Sequence, residues 1–234
     1  FYEMSKFSLA ENKKLVVALI LILFSIVFWA FFEQSGGSLS LFAANNLENT
    51  LLGVEVDPNG VNNCANSFFV IAFAALLGMV WLWMHKRKIE PSTIAKFGLA
   101  FLFLAGGFYI FYYTKFFANA EGLTSLDIFT LGWLVITFGE LSLSPIGMSA
   151  MTKLSPHRLQ AVMMGMWFLA SAYGQYFAGL LGADIASDSL DASNADKLNI
   201  YANGYLDLAL YALIAGVIMI LLAPLVKKLT QGVK

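Results

Sequence analysis

Charge is what this sequence has least of. Of its 234 residues only 12% are Asp, Glu, Lys or Arg, about half the share of an average soluble domain. So few ionic groups cannot cover a globular surface, which excludes an ordinary soluble enzyme. A basic excess is missing too: 14 Lys and Arg stand against 15 Asp and Glu. The phosphate-neutralising surface of a nucleic-acid binder is therefore absent. One cysteine, Cys64, cannot make a disulfide within the chain. The two histidines, His85 and His157, both lie in basic turns. No His or Cys stands mid-span to build a metal centre or a nucleophile–base pair, so no enzyme, metal site or cofactor is expected. What is abundant is apolar: 59% of residues are hydrophobic, and the mean hydropathy is +0.73. These exclusions leave a membrane protein with several spans.

A spanning helix needs about 20 apolar residues. The long apolar runs predict six, at about 12–44, 67–83, 93–117, 124–151, 156–183 and 198–226. The expected fold is all-α, a polytopic bundle of six transmembrane helices. Six spans are few for a solute carrier, and the chain begins at Phe1 with no signal peptide ahead of its first span. The expectation is a piece of something longer. Pro58-Asn59-Gly60 reads as an outer turn, and Pro91 and Pro156 as openings of the third and fifth helices. No internal repeat and no inserted domain is evident.

Charge placement predicts the orientation. Lys6, Lys13, Lys14, Lys86, Arg87, Lys88, Lys96, Lys153, Arg158, Lys227, Lys228 and Lys234 share one set of helix ends. The other set carries Lys115 and Lys197 against a majority of acids, including Asp184, Asp188, Asp191 and Asp196. Basic residues mark the cytoplasmic side. An even number of spans with both ends of the segment cytoplasmic satisfies the split. Trp81 and Trp83, beside His85–Lys88, sit where an interfacial aromatic belt belongs.

Two acids, Glu33 and Glu140, lie inside apolar runs, where a carboxylate costs a few kcal/mol or more. No Lys, Arg or His lies deep in any span. Their partner is then a proton, a ligand cation or a base on another bundle; the alternative is a neutral, hydrogen-bonded core residue. Both stand in loosened sequence, Glu33-Gln34-Ser35-Gly36-Gly37-Ser38 and Gly139-Glu140-Leu141-Ser142-Leu143-Ser144-Pro145. Pro145 lacks an N–H and frees the carbonyl of Leu141. Glu140, Ser144 and Gly147 share one helical face. Kinked or broken helices with polar faces are typical of transporter midplane sites. Ala170, Gly174, Ala178 and Gly182, at four-residue spacing, predict a close helix-packing seam. Gly106-Gly107 and Gly216 are expected to serve the same end. Trp29 and Trp167 lie deeper than the belt and are expected to line a cavity.

Three blocks together resemble the C-terminal half of the proton-dependent oligopeptide transporter family, within the major facilitator superfamily. They are Phe28-Trp29-Ala30-Phe31-Phe32-Glu33-Gln34-Ser35-Gly36, the run from Gly139 to Ser149 continuing through Thr152–Arg158, and Met163-Met164-Gly165-Met166-Trp167-Phe168-Leu169. The resemblance covers essentially the whole chain, as helices seven to twelve. It implies proton symport of di- and tripeptides by alternating access, with the proton as coupling ion. Glu140 matches the acid that binds the peptide amine, Ser144 a site-lining serine, and Trp167 a tryptophan walling the side-chain pocket. Glu33 matches the acid of proton coupling, with Trp29 one turn before it lining the same cavity. Asn66 matches an asparagine that contacts peptide backbone. There the chain departs from the family, with Asn66-Ser67 in place of Asn-Pro and without the mid-helix proline. The implied partners are an N-terminal six-helix bundle absent from this chain, a peptide substrate and membrane lipid. The short outer loops point to a bacterial inner membrane. A carrier for another solute such as nitrate fits two midplane acids less well, and a structural scaffold leaves them unexplained.

Overall fold

A computed structural model describes residues 7–187 and 192–229. Lys6, Lys234, Asp188 and Asp191 of the charge pattern lie outside them. Among the described residues seven α-helices follow in order: α1 (Leu9–Phe32), α2 (Ser38–Asn46), α3 (Pro58–Lys86), α4 (Thr93–Tyr113), α5 (Leu126–Leu154), α6 (Gln160–Ser187) and α7 (Asn194–Leu229). Their starts are chemically marked. Ser8 and Glu11 form a reciprocal capping box at α1, and Asp57, Ser92 and Ser125 cap α3, α4 and α5 by accepting a backbone N–H.

Five segments among the described residues are long and apolar enough to cross a membrane: Leu9–Asn46, Pro58–Lys86, Thr93–Phe117, Leu126–Leu154 and Asn194–Val226. At 28 residues α6 has the length, but glycines, Ser171 and Gln175 dilute its apolar content. It takes the place of the predicted fifth span.

Two predicted segments look different in three dimensions. The first is not one helix. A 3-10 turn over Glu33–Gly36 separates α1 from α2, where two glycines follow Gln34-Ser35. The second starts at Pro58, not near 67. Pro58-Asn59-Gly60 is the first turn of α3, with proline at a position that needs no N–H donor and Asp57 Oδ2 accepting from Gly60 at 2.7 Å. Ser67 then sits inside an unbroken helix, as the missing proline allows. Pro145, in contrast, leaves α5 continuous from Leu126 to Leu154.

The bundle centres on α4, which packs along α5 on one side and α7 on the other, while α1 packs along α6. In lipid, close fit and interhelical hydrogen bonds hold helices together, because no water is expelled. Small residues supply that fit. A Cβ on Gly107 would stand 2.9 Å from the Gly132 carbonyl of α5, and one on Gly216 3.1 Å from the Gly98 carbonyl of α4. The predicted seam on α6 faces α1: a Cβ on Gly174 would stand 2.3 Å from that of Trp29, and Ala170 and Ala178 are buried beside it. Phe42, Phe108, Phe111, Phe129 and Tyr205 form an aromatic core toward the acidic end, all fully buried.

Each end of the bundle is tied separately. At the acidic end Asn46 Nδ2 donates to the carbonyls of Gly122 (3.0 Å) and Asn194 (2.8 Å), joining α2 to the α4–α5 loop and the start of α7. A hairpin of β1 (Thr50–Leu51) and β2 (Val54–Glu55) turns at Leu52 and Gly53, both at positive φ, and the Leu52 N–H donates to Asp127 Oδ1 at 2.8 Å. At the basic end the Arg87 guanidinium lies 4.6 Å from the Trp83 ring centre and Lys96 Nζ 4.7 Å from that of Trp81.

Candidate functional site

The break between α1 and α2 creates the first polar feature. Gln34 is fully buried there. Its Nε2 donates back to the Ala30 carbonyl (3.3 Å) and across to the Ala178 carbonyl of α6 (3.1 Å), and its Oε1 accepts from Ser38 Oγ (2.8 Å). Gly182 permits this close meeting: a Cβ there would lie 3.2 Å from Gln34 Oε1 and 3.3 Å from the Ser38 nitrogen. Gln34 thus ties the break back to α1 and across to α6 in a medium without water. It also leaves Glu33 beside an open pocket of roughly 260 Å³, lined by Glu33, Ser35, Gly36, Gly37, Gln175, Ala178 and Gly179. Gln175 Nε2 donates to Glu33 Oε1 at 3.4 Å.

The second polar feature lies between α3 and α5. Asn66 Nδ2 donates to Glu140 Oε2 at 2.8 Å and to Thr137 Oγ1 at 3.2 Å. The two midplane acids thus have partners within this chain, and those partners are neutral amides. Among the described residues Glu140 Oε1 and Asn66 Oδ1 accept no hydrogen bond. One turn before Asn66, Asn62 is 1% exposed. Its Nδ2 donates to the Ser35 carbonyl in the break (3.0 Å), and its Oδ1 accepts from Trp133 Nε1 (3.2 Å). Thr137 Oγ1 closes the circuit by donating to the Trp133 carbonyl (2.8 Å). Ser144, one turn past Glu140 on the same face, is half-buried.

The two tryptophans are both largely enclosed. Trp167 is 2% exposed. Its ring lies over Gly147 and meets Phe97 of α4 edge-on at 6.1 Å. The missing Cβ of Gly147 draws the indole onto α5, so it packs inside the bundle away from the open pocket. Trp29 is 9% exposed, edge-on to Phe28 and Phe32 and pressed against Gly174. Its Nε1 has no hydrogen-bond partner among the described residues.

Of the residues singled out from sequence, Glu140 and Asn66 come together, while Glu33 and Trp29 adjoin each other at the break. Asn62, Trp133, Thr137 and Gln175 were not anticipated. The signal for Asn62 was present: with Asp57-Pro58 taken as cap and first turn, Asn62 and Asn66 become one polar stripe at i and i+4. No group of three His, Cys, Asp or Glu that could hold a metal occurs among the described residues.

Comparison with known proteins gives a consistent answer. The model of the POT family matches residues 2–197. The peptide transporter YePEPT of Yersinia enterocolitica subsp. palearctica serotype O:3 (strain YE-P4) is 35% identical over 193 residues, covering 81% of this chain and 37% of that protein. Dipeptide and tripeptide permease A of Pectobacterium carotovorum subsp. carotovorum (strain PC1) is 30% identical over 231 residues, covering 99% of this chain and 45% of the permease. A solved structure of a mutant of the peptide transporter POT in complex with alafosfalin superposes with a TM-score of 0.80 at 25% identity, covering 96% of this chain and 43% of that one. The chain thus spans less than half the length of the curated relatives it matches. Its apolar helices and these relatives make it an integral membrane protein. By its sequence and its fold, the chain belongs to the POT family.

Proposed function

We propose that this chain is the C-terminal six-helix half of a proton-coupled symporter that imports di- and tripeptides by alternating access across a bacterial inner membrane, with both ends of the segment cytoplasmic. The observation that carries this reading is the state of Glu140: Asn66 fixes one oxygen, and among the described residues the other accepts no hydrogen bond. A zwitterionic peptide needs an anion for its amine and cations for its carboxylate, and such attraction strengthens away from water. Glu140 supplies the anion, and an N-terminal bundle supplies the cations. Asn66 Oδ1 accepts from the peptide backbone, Ser144 and Trp29 line the site, and Trp167 backs the wall by holding α6 on α5. Glu33 at the break carries the proton. Its protonation releases an ion pair with the other bundle and lets the halves rock.

The test uses the complete two-bundle transporter in proteoliposomes. Replacing Glu140 by Gln weakens dipeptides by at least tenfold while analogues without an α-amine change little. Equal weakening of both overturns the amine-binding role. Failure of the wild-type protein to accumulate any dipeptide under a pH gradient overturns the reading as a whole.

A further inference from the structure

The two polar features are joined, and one residue makes the join. The helix α3 is weakly seated in this bundle: Val61, Asn62 and Ala65 are its buried residues. Its apolar stretch meets α5 through the Phe73–Phe138 edge-on ring pair at 5.4 Å. Its hydrogen bonds to α5 and to the α1–α2 break come from two asparagines one turn apart. Asn62 holds the Ser35 carbonyl of the α1–α2 break and accepts from Trp133; Asn66 holds Thr137 and Glu140. The Thr137 hydroxyl, bonded back to the Trp133 carbonyl, links the two rungs on the α5 side. A continuous line of hydrogen bonds therefore runs from two residues beyond Glu33, through α3 and α5, to the Glu140 carboxylate.

We infer that Asn62 is a positioning residue, which fixes the segment bearing Glu33 to the same two helices that hold the Asn66–Glu140 pair. A shift of α3 along α5 then moves both acids' surroundings together. Without Asn62 the pair at Glu140 stays intact, while the break is released from α3. This rests on the symporter reading for its consequence in transport, but the placement itself can be tested without any substrate.

The experiment uses the complete two-bundle transporter. Asn62→Leu keeps the shape and removes donor and acceptor. Trp133→Phe keeps a six-membered ring and removes the indole donor together with its five-membered ring. Asn66→Leu is the comparison. Backbone hydrogen exchange over residues 33–38 of the purified protein should quicken at least tenfold in Asn62→Leu, less in Trp133→Phe, and stay near wild type in Asn66→Leu. In proteoliposomes Asn62→Leu should lower the maximal proton-driven dipeptide uptake at least fivefold, with KM within threefold of wild type and counterflow exchange retained. Asn66→Leu should instead raise KM. Unchanged exchange over 33–38 in both Asn62→Leu and Trp133→Phe overturns the inference. So does a KM rise in Asn62→Leu matching that of Asn66→Leu. A wild-type protein that takes up no dipeptide sinks the symporter reading, and the exchange measurement still decides the placement. Should Asn62→Leu fail to fold, Trp133→Phe decides by the same readouts.

Discussion

Replacing Gly147 by Ala should unseat Trp167, and the structure says by how much. The new Cβ would fall 2.0 Å from Trp167 Cη2, 2.5 Å from Cζ2 and 2.6 Å from Cζ3. Ordinary carbon–carbon contact begins at about 3.5 Å, so the ring would have to retreat by roughly 1.5 Å. It has no free direction. The indole is 2% exposed, and Phe97 of α4 stands edge-on against it at 6.1 Å. Overpacking of this kind costs about 1–3 kcal/mol, occasionally more, and an enclosed, rigid indole puts this case at the upper end. Gly78 and Gly165 provide internal controls, because a Cβ at either meets nothing within 4 Å. Alanine there should be neutral or stabilise its helix by up to about 1 kcal/mol. The assay is thermal unfolding of the intact transporter in detergent. The midpoint should fall by several degrees for Gly147→Ala and hold for Gly78→Ala. Trp167→Leu makes room, so the double variant should lose less than the two single losses added, with a coupling on the order of 1–3 kcal/mol. If Gly147→Ala unfolds at the same temperature as Gly78→Ala, the indole is not where the geometry puts it, and the account of Trp167 as packed over Gly147 inside the bundle fails.

Two further predictions concern charge. Glu33→Gln in the complete transporter should abolish concentrative uptake driven by a pH gradient while leaving counterflow exchange; surviving accumulation would refute the coupling role. At the basic end, Glu90 sits in the α3–α4 turn and accepts from Lys96 Nζ and from His85 Nδ1 (2.7 Å). The Lys96 bond, aided by His85, holds its carboxyl below the ordinary carboxylate range. A carboxylate lowered on folding stabilises above its unfolded pKa and loses that stabilisation as pH falls through the folded one. Glu90→Gln should therefore unfold at a lower temperature than wild type at pH 7, and the gap should close as pH falls through the carboxylate range. A gap that persists at low pH points to shape, not charge.

The fold class was legible because lipid imposes a coarse rule. Long apolar runs separated by short polar turns have few other solutions than a helical bundle, and the scarcity of charge made the remaining charges conspicuous. Glu33 and Glu140 stood out for the same reason: each sits in a run where a carboxylate is costly. The small-residue seam on α6 was readable too, since four-residue spacing puts Ala170, Gly174, Ala178 and Gly182 on one face whatever they meet.

What they meet was not readable. In a helix apolar on all sides, no polar face declares which neighbour it seeks, and six helices leave many pairings open. Only the tertiary structure put Asn66 against Glu140, carried Asn62 to the Ser35 carbonyl and slid Trp167 over Gly147. The break after Phe32 shows the division most directly. Its composition, with Gly36 and Gly37 after polar residues, announced a weak point from sequence alone. That the weak point becomes a fixed turn depends on partners the fold brings to it: Gln34 must find the Ala178 carbonyl of α6, and Asn62 must donate from α3 to the Ser35 carbonyl. In a membrane an exposed carbonyl has no water to accept from, so where a helix can break is decided by which side chains the fold brings to it.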